Sequence, residues 1–220
     1  MEHLNYIMEI TPYILEGAVF SIQIYVVTML FAIPLGMLCA LGKLVHFKPL
    51  RWLLEAYTWV FRGTPLLLQL FFVYYGLPFV PVIGVEFSRE MAAFVTFILN
   101  YGAYFTEIFR AGIQSIDKGQ YEAAKALGMS YPRTMCSIII PQAIKVIVPP
   151  LGNEAVTLIK DTALCSVIAI PEMLKNAKAV VARDAAVSGY IIAAVAYLAM
   201  TFVIINIFKY IEKRLSYYDK

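Results

Sequence analysis

Charge is scarce in this sequence. Only 15% of its 220 residues are Asp, Glu, Lys or Arg, while 61% are hydrophobic and the mean hydropathy is +0.73. A soluble domain carries about a quarter of its residues as charges, so this balance excludes one and places the chain in a bilayer. The net charge of +3 is small and scattered, which leaves no basic patch for a nucleic acid. Cysteine is nearly absent as well: Cys39, Cys136 and Cys165 fall in or beside apolar segments, and His3 and His46 stand alone. That excludes a disulfide framework and a zinc site. The sequence has no G-x-x-x-x-G-K-[ST] phosphate loop, no H-E-x-x-H and no serine elbow, which argues against nucleotide hydrolysis by this chain and against an intramembrane enzyme. An internal repeat is missing too, as is any low-complexity run. The inverted halves of an ion-driven secondary transporter are therefore not in view. The amino terminus, "MEHLNYIMEITPYILEG", carries acidic residues where a secretory signal has basic ones, and the apolar run after it is too long for a signal core. The first hydrophobic segment is expected to stay in the mature protein.

What is present in quantity is long apolar segments. A membrane helix needs about 20 mostly apolar residues. Five segments qualify: 17–42, 53–77, 91–109, 148–171 and 187–208. The expectation is an all-α integral membrane protein of five transmembrane helices, with residues 1–220 as one domain. The second segment contains Glu55 and Arg62, and the fourth is interrupted by Pro149, Pro150, Glu154, Lys160 and Asp161. Five crossings put the termini on opposite sides, and basic residues choose the cytoplasmic one. With the amino terminus outside, only Arg89, Lys175, Lys178 and Arg183 lie externally, against twelve on the inner side, including Lys43, Arg110, Lys125 and Arg133. Residues 110–147 are then cytoplasmic. Residues 172–186 carry three of the external basic residues, and a short interfacial helix is expected there.

The longest connection, between the third and fourth segments, has its own local logic. In "SIDKGQYEAAKALGMSYPRT", Asp117 can cap a helix of about ten residues, with Gln120 reaching back in a capping box and Gly128 supplying a left-handed stop. Ser130 can cap a second short helix that tolerates Pro132 in its first turn. The product is two short helices around a glycine turn, shaped to enter a groove on a cytoplasmic partner. Ordinary interfacial helices, with alanines present for helix propensity alone, would read similarly from Glu122-Ala123-Ala124 by itself.

The spacing across 122–141, "EAAKALGMSYPRTMCSIIIP", separates those readings. Glu122, Ala123 and Ala124, then Gly128, then Ile138 and Ile140-Pro141 resemble the EAA signature of permease subunits in binding-protein-dependent ABC importers. That family usually has leucine at the position of Ile140. The stretches "FRGTPLLLQLFFVYYGLP" (61–78), "NYGAYFTEIFRAGIQSIDKGQYEAA" (100–124) and "PQAIKVIVPPLGNEAVTLIKDTALCSVIAIPE" (141–172) narrow the resemblance to the histidine and glutamine permease branch, over roughly residues 17–214. "GAVFSIQIYVV" is a looser match, with Ser21 where threonine is common. The resemblance implies the MetI-like type I importer fold and a cytoplasmic coupling helix within 117–141 gripped by an ATPase through Glu122, Ala123, Ala124, Gly128, Ile138 and Pro141. It also implies a second permease subunit, identical or homologous, an extracytoplasmic amino-acid-binding protein, and a bacterial plasma membrane location. No cofactor is expected on this chain; Mg-ATP would be used by the partner.

Charges inside a bilayer cost roughly 2.5–3.5 kcal/mol each on insertion scales, so those kept there face a polar interior or a partner. Asn100, Glu154, Lys160 and Asp161 are candidates to line a substrate path, and structural pairing between helices is the competing account. Lys160 and Asp161 point about 100° apart on a helix, so each would pair elsewhere. Arg62, beside Gly63 and Pro65, is expected to satisfy carbonyls freed at a bend, and Glu107 to be solvated near the cytoplasmic face.

Overall fold

A computed structural model describes residues 2–81 and 84–216; the side chain of His3 lies outside the described residues. Every regular element among them is helical. Helix α1 (Glu2–Glu16) and helix α2 (Ala18–Leu44) run through Gly17 as one apolar stretch from Leu4 to Leu44. Helix α3 (Lys48–Gly63) and helix α4 (Leu66–Phe71), with its continuation to Phe79, form a pair bent by 105°. Helix α5 (Arg89–Gln114) is followed by α6 (Lys118–Ala126) and α7 (Tyr131–Thr134). The chain closes with α8 (Ile140–Asp161), α9 (Met173–Asp184) and α10 (Ser188–Ser216). Among the described residues four stretches are long and apolar enough to cross a membrane, and five if the bent pair counts as one span.

Two expected spans take a different form. Segment 53–77 is not one helix: Thr64 and Pro65 interrupt it, because proline biases Thr64 to an extended conformation (φ −120°, ψ 149°) and ends α3 there. Segment 148–171 is not interrupted at Pro149 and Pro150. Both sit inside α8, whose apolar run is continuous from Tyr131 through a π-helical turn (Met135–Ile139) and ends in a 3-10 turn at Thr162–Ile168. A proline removes one backbone donor and the flanking hydrogen bonds hold the helix together, as neighbouring helices allow within membranes.

Helix α5 is the centre of the bundle. Of its apolar stretch 61% is buried, against 11% for α10. Phe97, Tyr101, Phe105 and Phe109 recur every fourth residue and form a ladder of rings with successive centroids 6.0–6.5 Å apart. Helix α2 packs closest to it. A Cβ at Gly36 would lie 2.6 Å from the Phe105 Cβ, so only glycine lets the two backbones approach this far.

A second cluster stands apart from that core: Ile10 and Ile14 of α1, Ala177 and Val180 of α9, and Ala193 of α10. The helix expected within 172–186 is present as α9, and its apolar stripe is covered by α1 and α10. Glu172 caps it, accepting from the backbone N–H groups of Leu174 (2.8 Å) and Lys175 (2.6 Å), and Asn176 donates to the Tyr13 carbonyl at 2.9 Å. Burial pushes the Glu172 carboxyl above its ordinary value.

Candidate functional site

The break between α3 and α4 is braced by side chains. The Gln69 amide donates to the carbonyls of Phe61 (2.9 Å) and Thr64 (3.1 Å), and Asn100 donates to Phe61 O (3.0 Å) and to Gln69 Oε1 (2.9 Å). Gln69 and Asn100 thus perform the task expected of Arg62, satisfying the carbonyls that the bend sets free. The Arg62 guanidinium instead lies over the Tyr104 ring, 5.5 Å from its centroid.

Against this break opens a chamber of about 460 Å³, walled by Thr64–Leu67, by Asn100, Tyr101 and Tyr104 of α5, and by Glu154, Thr157, Asp161 and Leu164. Glu154, Thr157 and Asp161 fall at i, i+3 and i+7, one stripe of α8. Asp161 accepts a hydrogen bond from the Tyr101 hydroxyl at 2.8 Å. Of the four path candidates, Asn100, Glu154 and Asp161 meet here. Lys160 does not line the chamber, because its position lies about 100° around the helix from Asp161.

A second cavity of about 700 Å³ lies nearer the 117–141 end, lined by Arg62, Glu107, Arg110, Ser115, Val146 and Pro150 among others; Tyr104 and Glu154 line both cavities. Glu107 is not simply solvated. It accepts from Lys43 at 2.5 Å and from Arg110 at 2.6 and 3.0 Å, while Lys43 also donates to Thr58 at 2.8 Å. The Lys43 and Glu107 side chains are only 7% and 15% exposed. The sequence hides this pair because its members are 64 residues apart.

The segment 117–141 folds as α6, a glycine turn and α7 leading into α8, with two departures from expectation. Asp117 caps α6 by accepting from Gly119 N (2.6 Å), but Gln120 does not complete a capping box; its side chain meets Gln142 at 3.4 Å. Ser130 offers no side-chain cap, and α7 leads into α8 instead of standing as a separate second helix. The glycine stop does form. Gly128 has φ +72°, with Met129 N bonded to Ala124 O and Gly128 N to Lys125 O, both at 3.0 Å, the paired bonds of a Schellman motif. Glu122, Ala123 and Pro141 are exposed, Ala124 is buried, and Ile138 packs partly into the core. Sequence reasoning passed over Leu127 and Tyr131, large apolar residues left 80% and 65% exposed at the tip. An apolar residue immediately before the glycine stop of an otherwise polar helix was the available signal.

Residues 32–217 match the family described as binding-protein-dependent transport system inner membrane component. This chain belongs to that family. Among relatives of the permease, the arginine transport system permease protein ArtQ of Bacillus subtilis is 41% identical over 209 residues, covering 94% of each chain. A putative glutamine transport system permease protein GlnP of Rickettsia bellii is 39% identical over 218 residues, covering 96% of this chain and 98% of that one. A solved structure described as an amino acid ABC transporter with histidines superposes with a TM-score of 0.86 at 35% identity, covering 94% of this permease and 96% of that chain. The inward-facing MetNI methionine ABC transporter shares the fold, with a TM-score of 0.68 at 15% identity. The chain is a multi-pass permease subunit of an ABC importer and not an enzyme.

Proposed function

We propose that this permease carries an amino acid with a cationic side chain through the chamber between the α3–α4 break, α5 and α8. The observation that carries the proposal is the pair of carboxylates, Glu154 and Asp161, on a chamber wall to which no lysine or arginine contributes. In a low-dielectric setting such a pair favours a cation over a neutral isostere. One relative named for arginine transport and a solved neighbour described with histidines support the same class, beside relatives named for glutamine. The amino terminus faces outward and the carboxyl terminus the cytoplasm. A binding protein delivers cargo to the outer side, a second permease completes the path, and ATPase subunits, which consume Mg-ATP, grip segment 117–141 through Glu122, Ala123, Ala124, Gly128, Ile138 and Pro141. Closure of the ATPases exposes the chamber alternately to each side.

The test is competitive uptake of labelled arginine and glutamine into proteoliposomes holding the complete permease pair with its ATPase and supplied with the binding protein. Glu154→Gln is expected to lower the arginine-to-glutamine ratio about tenfold, the size of one lost charge contact. An unchanged ratio refutes the cargo assignment. Gly128→Asp, which forces a side chain into the left-handed turn, is expected to reduce co-purification of the ATPase, and full retention refutes the coupling assignment.

A further inference from the structure

Arg62 stands at the break between α3 and α4 without a carboxylate bonded to it. Among the described residues it makes no ion pair, and the carbonyls at the bend are already held by Gln69 and Asn100. It lines the second cavity, the vestibule, beside Tyr104 and Glu154, the two residues that this cavity shares with the chamber and that we call the neck. The guanidinium lies over the Tyr104 ring, and Glu154 stands on the wall of the same cavity. The other vestibule arginine, Arg110, is occupied by Glu107 and Gln114. Arg62 is therefore the cation left to answer Glu154 from the vestibule side.

We propose that Arg62 is a tethered stand-in for cationic cargo: with the chamber empty it sits on Tyr104 at the neck and offsets the charge of Glu154, and an arriving cationic cargo displaces it. The inference rests on the cargo reading above. It makes Arg62 a specificity-determining residue of unusual sign, since it competes with the cargo instead of holding it. A permease built this way avoids leaving Glu154 uncompensated between cycles, and it opens the neck toward the vestibule only when a cation takes the place of the guanidinium.

The experiment measures labelled L-arginine and L-glutamine binding to the purified permease–ATPase complex without ATP, for wild type, Arg62→Gln, Arg62→Lys and both Arg62→Gln and wild-type Arg62 in a Glu154→Gln background. Removing a competing charge at this range should tighten arginine binding by about threefold to tenfold, with glutamine little changed. Arg62→Lys, which keeps the charge and loses the planar stacking, should fall between. In the Glu154→Gln background the Arg62→Gln effect should vanish, because the shared carboxylate is gone. Weaker binding of both amino acids by Arg62→Gln would make Arg62 a holder of the cargo carboxylate and overturns the proposal. An Arg62→Gln effect of equal size in both backgrounds overturns it too. Failure of Glu154→Gln alone to alter arginine preference defeats the cargo reading and is separately visible. Unfolding temperatures of the variants identify any loss caused by misfolding, and Arg62→Lys keeps the comparison decisive in that event.

Discussion

Removing Glu107 should damage the permease more than removing Lys43, although the two are partners in one ion pair. Glu107→Ala leaves the Lys43 ammonium 7% exposed, with only the Thr58 hydroxyl at 2.8 Å to receive it. Breaking a buried pair in this way costs about 3–5 kcal/mol. Lys43→Met leaves Glu107 in two hydrogen bonds from Arg110, at 2.6 and 3.0 Å, so its charge remains answered and the loss should be about 1–2 kcal/mol. The double variant Lys43→Met/Glu107→Met removes both charges and should recover to near the cost of the milder single change. In a chain of this size about 1 kcal/mol moves the midpoint by roughly 2–4 °C, which puts Glu107→Ala about 10 °C below wild type. Thermal unfolding in detergent by tryptophan fluorescence suits the question, because Trp52 and Trp59 both lie on α3, as does Thr58. Equal losses below about 1 kcal/mol for both single variants would refute the argument and return Glu107 to the solvated role its position near the loop suggests.

Packing and pH give two further checks. Gly36→Val should cost about 1–3 kcal/mol, since its Cβ meets Phe105 Cβ at 2.6 Å and Thr106 N at 3.0 Å, whereas Gly63→Ala, whose Cβ meets nothing within 4 Å, should cost less than 1 kcal/mol; equal midpoints would refute the close α2–α5 approach. Glu172 titrates above its ordinary value of 4.5, so its contribution to stability is complete below that value and is lost as pH rises through the higher folded value. Unfolding midpoints of wild type should fall across the range just above pH 4.5, and Glu172→Gln should flatten that slope; parallel profiles would remove burial as the dominant influence on this carboxyl.

That the chain is built of long apolar helices was legible because hydropathy over about 20 residues is a local property, although the first and fourth stretches reach further than expected. The glycine stop at Gly128 was legible for the same reason: the backbone dihedral is demanded within one turn. Proline was the least reliable guide. Pro65 ends α3, while Pro149 and Pro150 are absorbed into α8, and the difference lies in the neighbours that satisfy the freed groups, which no local pattern records. The polar side chains show the same division. Glu154 and Asp161 could be placed on a common stripe by counting residues. The brace formed by Gln69 and Asn100, and the clamp formed by Lys43, Thr58 and Glu107, join positions 15 to 64 residues apart and became visible only with the helices assembled.

Helix α1 is made first and finds its partners last. Ile10 and Ile14 pack on Ala177, Val180 and Ala193, the Tyr13 carbonyl waits for Asn176, and the Tyr6 hydroxyl waits for Asp184, 178 residues downstream. At about 5–20 residues per second, ribosomal synthesis leaves that stripe without its cover for about 10–30 s. A nascent chain halted before α9 therefore lacks the cover for Ile10 and Ile14, so the amino-terminal helix acquires these packing partners only when α9 and α10 are complete.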